Sequence, residues 1–260
     1  MAWLKLNKTI LLFLQTRHKY LHHWFLAFSL SLCALNSFAQ TEVSFKASDG
    51  LSISANLYLI DKNKPFILLF HQDASSKGEY IEIAPKLNKL GYNCLAVDLR
   101  AGGKINFIEN QTAKRAQIYS YSHKLTDAEQ DIYAAIDFVK QYNHHQIILF
   151  GSSYSASLSL LVASKSNRVN AVIAFSPGEF FRPEIIVKDE IANLDIPLFA
   201  AATEFEYDNV KSILSEVSSN KKYLFKPSKG RGAHGAKALW DSNESSSEYW
   251  LNLSQFFRQL

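Results

Sequence analysis

Hydrophobic and polar positions along the chain alternate between two kinds of segment. Short continuous apolar runs, such as Phe66 to Phe70, are typical of strands that are buried on both faces of a parallel sheet. Longer segments with apolar residues at helical spacing, such as Thr126 to Tyr142, predict helices between those strands. This alternation indicates an α/β fold with a mostly parallel sheet and helices on both faces.

The pattern predicts about eight strands and five helices. The first two strands form an antiparallel pair that turns at Ser48-Asp49-Gly50. The predicted strands are Val43 to Ala47, Leu51 to Ile60, Phe66 to Phe70, Asn93 to Val97, Gln146 to Phe150, Val169 to Phe175, Leu198 to Ala202 and Lys222 to Phe225. The predicted helices are Glu79 to Leu90, Thr126 to Tyr142, Ser155 to Ser166, Asp208 to Ser218 and Glu244 to Gln259. The least regular segment, Gly102 to His123, is expected to be a loop that lines a pocket.

Residues 1–39 have the pattern of a cleaved export signal. They carry four basic residues and no acid, then the apolar run Trp24 to Leu35, then Asn36-Ser37-Phe38-Ala39, with small residues at the positions that a signal peptidase reads. A run of about 12 apolar residues is shorter than the roughly 20 that span a bilayer. We expect cleavage after Ala39, an exported protein that is periplasmic or secreted, and no stable membrane span after cleavage. Residues 40–260 then form a single domain.

Charge and cysteine content narrow the range of possible functions and partners. The formal net charge is +4, but the excess lies in residues 1–39, and the remainder has 24 basic and 24 acidic residues. This balance argues against a nucleic-acid partner. Cys94 lies in an apolar run and is the one cysteine after the leader, which predicts an inert core residue and no internal disulfide. The chain has no clustered metal-ligand pattern and no glycine-rich phosphate loop, so we expect no metal and no cofactor.

The stretch Gly151-Ser152-Ser153-Tyr154-Ser155 joins a predicted buried strand to a predicted helix. A serine on such a tight turn has its hydroxyl pushed clear of the sheet edge, and the helix directs its positive end to the same place. Ser153 is therefore the candidate nucleophile. The motif is G-x-S-x-S, with Ser155 where glycine is more usual, and the alternative is that Ser152 or Ser153 merely caps the helix.

A histidine base should follow such a serine, after the last strand. His234 is the one histidine that follows Ser153, and it lies in a glycine-rich loop after the final predicted strand. A mobile backbone there could bring the imidazole over the sheet edge. The alternative is an ordinary solvated loop histidine.

Four carboxylates compete for the acid of a catalytic triad. Glu206, Asp208 and Glu204 follow the predicted strand Leu198 to Ala202. Glu206 is the first choice, whereas Asp208 is placed to cap the next helix. Glu179 follows the preceding strand and is a further alternative.

An acyl-transfer site also needs donors for an oxyanion. The backbone N–H of Tyr154 is one candidate. The second is the N–H of Gln72, directly after the strand Phe66 to Phe70. The neighbouring His71 or Asp73 could instead be structural, by hydrogen bonding to the loop that holds Gln72.

Residues 42–260 resemble the α/β-hydrolases, in particular small dienelactone hydrolase-like and serine esterase-like members without a large lid. The resemblance rests on five motifs in the expected order: HQDASSKGEY, NCLAVDLRAGG, FGSSYSA, IPLFAAATEFE and GAHG. VDLRAGG is similar to the D-x-R-G-x-G turn of the family, with Ala101 in place of the first glycine. His71-Gln72 departs from the frequent His-Gly pair, and dienelactone hydrolases proper use a cysteine where this chain has Ser153.

The resemblance and the residues together predict a serine hydrolase that cleaves a small-molecule ester or short acyl substrate through Ser153, His234 and Glu206 and a covalent acyl-enzyme. Two alternatives stay open. One is a serine peptidase of the same fold, and the other is a ligand-binding protein that kept the fold without activity.

Overall fold

The computed structural model describes residues 40–142 and 146–260. The predicted export signal therefore lies outside the described residues. The strands are β1 (Thr41–Lys46), β2 (Ser52–Tyr58), β3 (Phe66–Phe70), β4 (Asn93–Val97), β5 (Lys104–Ile105), β6 (Ile108–Glu109), β7 (Ile147–Ser152), β8 (Ala171–Phe175), β9 (Leu198–Ala201) and β10 (Lys222–Phe225). The α-helices are α1 (Ile83–Lys89), α2 (Gln111–Ile118), α3 (Glu129–Val139), α4 (Tyr154–Lys165), α5 (Val187–Glu190), α6 (Tyr207–Ile213) and α7 (Ser246–Phe257). Short 3-10 helices cover Lys77–Tyr80, Thr126–Ala128 and Gly235–Leu239.

Eight strands form one sheet in the order β1-β2-β4-β3-β7-β8-β9-β10. β2 is antiparallel to both β1 and β4, and all the other neighbours are parallel. The predicted mostly parallel sheet and its opening antiparallel pair are confirmed. Carboxyl ends of parallel strands meet at one edge, so the loops after β3, β7, β8 and β9 converge there.

The core lies on both faces of this sheet, because successive strand residues point to opposite sides. Leu68 of β3 joins an apolar cluster that includes Leu158 of α4. Its neighbour Ile67 joins a second cluster that includes Leu253 of α7. All five residues of β3 are buried, which explains why the strand is a continuous apolar run in the sequence.

Several segments differ from the prediction, including the short helix α5, which was not predicted, and two of the differences lie near the candidate site. The predicted loop Gly102 to His123 contains the β5–β6 hairpin and α2. Helix α2 buries only two small side chains, Thr112 and Ala116, so its sequence has few apolar residues that would predict a helix. The predicted helix Glu79 to Leu90 is divided into a 3-10 helix, Lys77–Tyr80, and α1. This division matters because it directs Glu79 inward.

Among the described residues, no helix has both the length and the apolar content needed to cross a bilayer. Cys94 is fully buried, and burial raises the pKa of its thiol well above the usual range, as expected for an inert core residue. Within residues 40–142 and 146–260, no group of three or more His, Cys, Asp or Glu side chains is placed to hold a metal ion.

Candidate active site

Ser153 lies on a strained turn between β7 and α4. Its backbone angles are φ 59° and ψ −122°, a left-handed conformation that serine rarely adopts. The turn is held from the neighbouring strand, since the Ser153 N–H donates to Phe175 O at 2.8 Å. The residue is 7% exposed, so it is accessible at the end of the strand without being a surface serine.

The motif around Ser153 is explained by two neighbours. A Cβ atom on Gly151 would lie 2.3 Å from Ser155 O, so glycine is required where the strand meets the helix. Ser155, at the position where glycine is more usual, is fully buried. Its Oγ accepts the Ser152 N–H at 2.9 Å and donates to Phe70 O at 2.7 Å. This hydroxyl therefore ties the turn to the end of β3.

His234 and Glu206 are in direct contact. His234 Nδ1 lies 2.5 Å from Glu206 Oε1. An ionised carboxylate can only accept, so the proton of this hydrogen bond is on Nδ1. In the neutral ring Nε2 is then unprotonated. The His234 side chain is 45% exposed, so solvent can reach the ring.

Glu206 is surrounded by donors. Burial alone would raise its pKa, but hydrogen bonds from His234, Ser176 Oγ and the Thr203 N–H outweigh it and lower the pKa to about 2. The Ser176 and Thr203 bonds to Oε2 are 2.7 Å and 3.0 Å long. The carboxylate is therefore ionised at neutral pH and fixes the ring of His234.

Ser176 was not singled out from the sequence. It follows β8 directly and has a positive φ of 53°. Its Oγ donates to Glu206 and accepts the Gly235 N–H at 3.0 Å. It therefore connects the acid to the loop that carries His234. The one signal in the sequence was its position at the carboxyl end of a buried strand.

The other three candidate acids lie elsewhere. Glu179 accepts the N–H groups of Val187 and Lys188 at 2.8 and 3.0 Å, so it caps α5. Glu204 is exposed on the loop after β9. Asp208 is exposed within the first turn of α6. The expectation that Asp208 caps this helix is wrong, because the helix begins at Tyr207 and Glu206 occupies the N-cap position.

The His234 loop is anchored to the serine turn. The Ala236 N–H donates to Ser152 Oγ at 2.8 Å. Gly235 has φ +67°, and a Cβ atom there would lie 2.3 Å from Ser152 Oγ, so glycine is needed for this approach. Among the described residues, Ser153 Oγ makes no hydrogen bond with His234. Catalytic hydrogen bonds often tighten only when substrate is bound.

The two predicted oxyanion donors have different surroundings. Tyr154 is the first residue of α4, so its N–H has no preceding helical turn to donate to. The Gln72 N–H, in contrast, donates to Glu79 Oε2 at 2.9 Å. That N–H is already engaged by a buried carboxylate, which contradicts the expectation that it is free for an oxyanion.

His71 has a structural environment. Its Nδ1 lies 2.7 Å from Gln72 O, and its Nε2 accepts the Leu99 N–H at 3.0 Å. Both ring nitrogens are used within the fold, and the side chain is fully buried. Asp73 is exposed, and its Oδ1 accepts the Ala74 N–H at 2.7 Å. Each side chain therefore supports the loop after β3.

Two pockets open at this edge of the sheet. The first, which we call the histidine pocket, has a volume of about 490 Å³ and is lined by His234, Glu206, Ser176 and Phe180. The second, the loop pocket, has a volume of about 560 Å³ and is lined mostly by residues between Gly102 and Leu125, with Asp73. The prediction that the segment Gly102 to His123 lines a pocket is confirmed.

Comparison with known proteins agrees with this fold. The family model described as alpha/beta hydrolase fold matches residues 65–252. The esterase Pf2001 of Pyrococcus furiosus is 18% identical with a TM-score of 0.66, covering 86% of this chain and 93% of that one. A dienelactone hydrolase from Anabaena variabilis is 16% identical with a TM-score of 0.66, covering 85% and 97%.

A third similar structure is the alpha/beta hydrolase GrgF from Penicillium sp. sh18, which is 15% identical with a TM-score of 0.63 and coverage of 85% and 98%. No curated protein sequence matches the chain significantly. The structural neighbours share the fold at low sequence identity, and the family model covers well over half of the chain. The chain therefore belongs to the α/β-hydrolase family, and its fold is similar to that of dienelactone hydrolases and esterases.

Proposed function

We propose that this protein is a serine hydrolase that cleaves a carboxylic ester of a small molecule. The observation that carries the proposal is the 2.5 Å contact between Glu206 and His234 Nδ1. It leaves Nε2 of the same ring as a base for a serine hydroxyl. The candidate serine, Ser153, lies on the strained turn. The residue before it, Ser152, is hydrogen-bonded to the His234 loop.

In this mechanism, His234 Nε2 removes the proton of Ser153 while Ser153 Oγ attacks the acyl carbon. Glu206 holds Nδ1–H and stabilises the imidazolium that forms. The imidazolium then protonates the leaving alcohol, and an acyl-enzyme remains on Ser153. A water molecule, deprotonated by the same ring, releases the acid and restores the serine.

The oxyanion of each tetrahedral intermediate is held by two backbone donors. We assign these to the N–H of Tyr154 and the N–H of Asp73. The Asp73 assignment replaces Gln72, whose N–H is bonded to Glu79. Within the described residues, the Asp73 N–H has no acceptor in the protein, so it is free for a ligand.

The histidine pocket supports a small substrate by its size and position. Its volume of about 490 Å³ is within the range for ligand sites, and its wall includes His234 and Glu206 but not Ser153. We assign it to the part of the substrate next to the histidine. A peptidase needs room for an extended chain on both sides of the scissile bond. Peptidase activity is therefore the second candidate, and a non-catalytic binding protein is the third.

A fluorophosphonate probe and a short activated ester test the proposal together. Wild type should be labelled and should hydrolyse the ester, whereas Ser153→Ala and His234→Ala should each lose roughly 10³-fold or more of kcat. Ser164→Ala, in the same helix but bonded to Leu161 O, is the matched control and should keep full activity. Absence of labelling in folded wild type would favour the binding protein. Faster cleavage of a peptide amide than of the matched ester would favour the peptidase.

A further inference from the structure

Glu79 is a fully buried carboxylate next to the candidate active site, and the mechanism above does not use it as an acid or base. It lies on the 3-10 helix Lys77–Tyr80, which follows β3. Among the described residues, no lysine or arginine is within ion-pair distance of it. Removing an unpaired carboxylate from water is costly, so its hydrogen bonds must offset that cost.

Both oxygens of Glu79 accept hydrogen bonds from loops that carry reacting groups. Oε2 accepts the Gln72 N–H at 2.9 Å. Oε1 accepts the Ser152 hydroxyl at 2.7 Å. Gln72 precedes Asp73, the proposed oxyanion donor, and Ser152 precedes Ser153. The carboxylate therefore binds two segments, each through the residue that directly precedes a reacting group.

Ser152 extends this connection to the histidine loop. Its hydroxyl has one hydrogen, which is donated to Glu79, so its oxygen is free to accept the Ala236 N–H at 2.8 Å. Ala236 lies two residues after His234. The order of donors is thus fixed: Ala236 N–H to Ser152, and Ser152 O–H to Glu79. An acceptor at position 79 is required to maintain that order.

The backbone of Glu79 is anchored as well. Its carbonyl accepts the Trp240 Nε1–H at 2.9 Å, which ties it to the segment after Gly235–Leu239. The adjacent Tyr80 is fully buried, and its hydroxyl donates to Phe70 O at 2.6 Å. These contacts therefore hold the backbone at Glu79 in place before substrate arrives.

We propose that Glu79 is a positioning residue for hydrolysis, which sets the relative positions of the oxyanion loop, the Ser153 turn and the His234 loop. This role rests on the proposed serine mechanism. Displacement of a reacting group by about 1 Å can cost roughly 100-fold in rate. Disruption of the Glu79 bonds should therefore lower kcat more than it changes KM.

The test compares Glu79→Gln, Ser152→Ala and the double variant with wild type. Glutamine keeps the size of the side chain, but its NH₂ group faces one of the two donors, the Gln72 N–H or the Ser152 hydroxyl, and cannot accept that hydrogen bond. Active sites are counted by fluorophosphonate titration, so that kcat refers to folded, reactive enzyme only. Each single variant should lose about 10–100-fold in kcat per titrated site, with KM within about threefold of wild type. Because both substitutions break the same network, the kcat of the double variant should be within about twofold of the kcat of the less active single variant.

Glu82→Gln is the matched control, because Glu82 is an exposed carboxylate three positions further on. It should keep wild-type kcat and KM. Losses that multiply in the double variant, or kcat per site within twofold of wild type in Glu79→Gln, would overturn the positioning role. If Glu79→Gln does not fold, Ser152→Ala decides alone by the same criterion. Wild type that is neither labelled nor active would instead refute the hydrolase itself.

Discussion

At the scale of single residues, Glu206 lies where burial and hydrogen bonding act on its charge in opposite directions. Burial opposes its charge, yet three hydrogen bonds keep it ionised and lower its pKa to about 2. The strongest of them joins it to His234, and the others come from Ser176 and the backbone of Thr203. These partners come from three different loops, so hydrogen bonds to one carboxylate hold the three loops together.

The low pKa of Glu206 predicts a specific loss of stability in acid. A carboxyl with a lower pKa in the folded state than in the unfolded state binds fewer protons when folded, so its contribution is complete above about pH 4.5 and declines as the pH falls toward 2. Urea unfolding of wild type and Glu206→Gln between pH 2 and 6 should show a stability difference that narrows on acidification. A difference that stays constant over this range would contradict the prediction, and the exposed neighbour Glu204→Gln is the control.

At the scale of elements, the connection from β7 to α4 determines where the candidate nucleophile lies. The strand ends at Ser152 and the helix begins at Tyr154, so a single residue makes the turn. That residue, Ser153, adopts φ 59°, and the strain is supported by bonds to β8 and β3. Helix α4 then packs against the strand so closely that Gly151 has no room for a side chain.

Gly151→Ala should therefore be much more destabilising than an ordinary glycine substitution. The new Cβ would lie 2.3 Å from Ser155 O and 2.4 Å from Ala156 Cα, both backbone atoms that cannot move independently. Gly91→Ala is a useful comparison, because Gly91 has φ +96° but open space around its Cα. It should cost only the strain of the backbone, about 1–2 kcal/mol. Equal melting temperatures for the two variants would contradict the steric explanation.

At the scale of the whole molecule, buried ion pairs join distant parts of the chain. Arg100, after β4, is fully buried and donates to the carboxylate of Asp131 on α3, which is also fully buried. It also pairs with Asp49, in the turn between β1 and β2, at 2.7 Å. The arginine of the VDLRAGG motif is therefore structural. It links the antiparallel edge of the sheet to a helix on one face and supports the wall of the loop pocket.

Asp131→Asn should destabilise the fold strongly, because it leaves the charge of Arg100 buried without its buried partner. Removal of one member of a buried pair typically costs about 3–5 kcal/mol. Asp49→Asn should cost less, since the Asp49 side chain is 28% exposed and water can replace it. Denaturant unfolding of the two variants measures the difference. The same loss in both variants would show that burial does not decide the energy of this cluster.

Much of the fold could be predicted from local pattern. Buried parallel strands such as β3 and β4 are continuous apolar runs, and their bounds were predicted as observed. The hairpin β5–β6 and the helix α2 were not predicted, because each is short, buries little apolar surface and has few apolar residues to form a pattern. Local pattern therefore identified the sheet but not the small elements that line the loop pocket.

The sequence by itself determined the order of the candidate residues, since a serine after a buried strand and a histidine after the last strand are positions along the chain. It did not decide which carboxylate meets His234, because Glu206 and Asp208 differ only in how the chain enters α6. It also did not reveal that Glu79 engages the Gln72 N–H and the Ser152 hydroxyl. Glu79 and Ser152 are 73 positions apart, and backbone donors have no residue-type signature. Such contacts depend on which loops the sheet brings to one edge, and only the tertiary structure decides that.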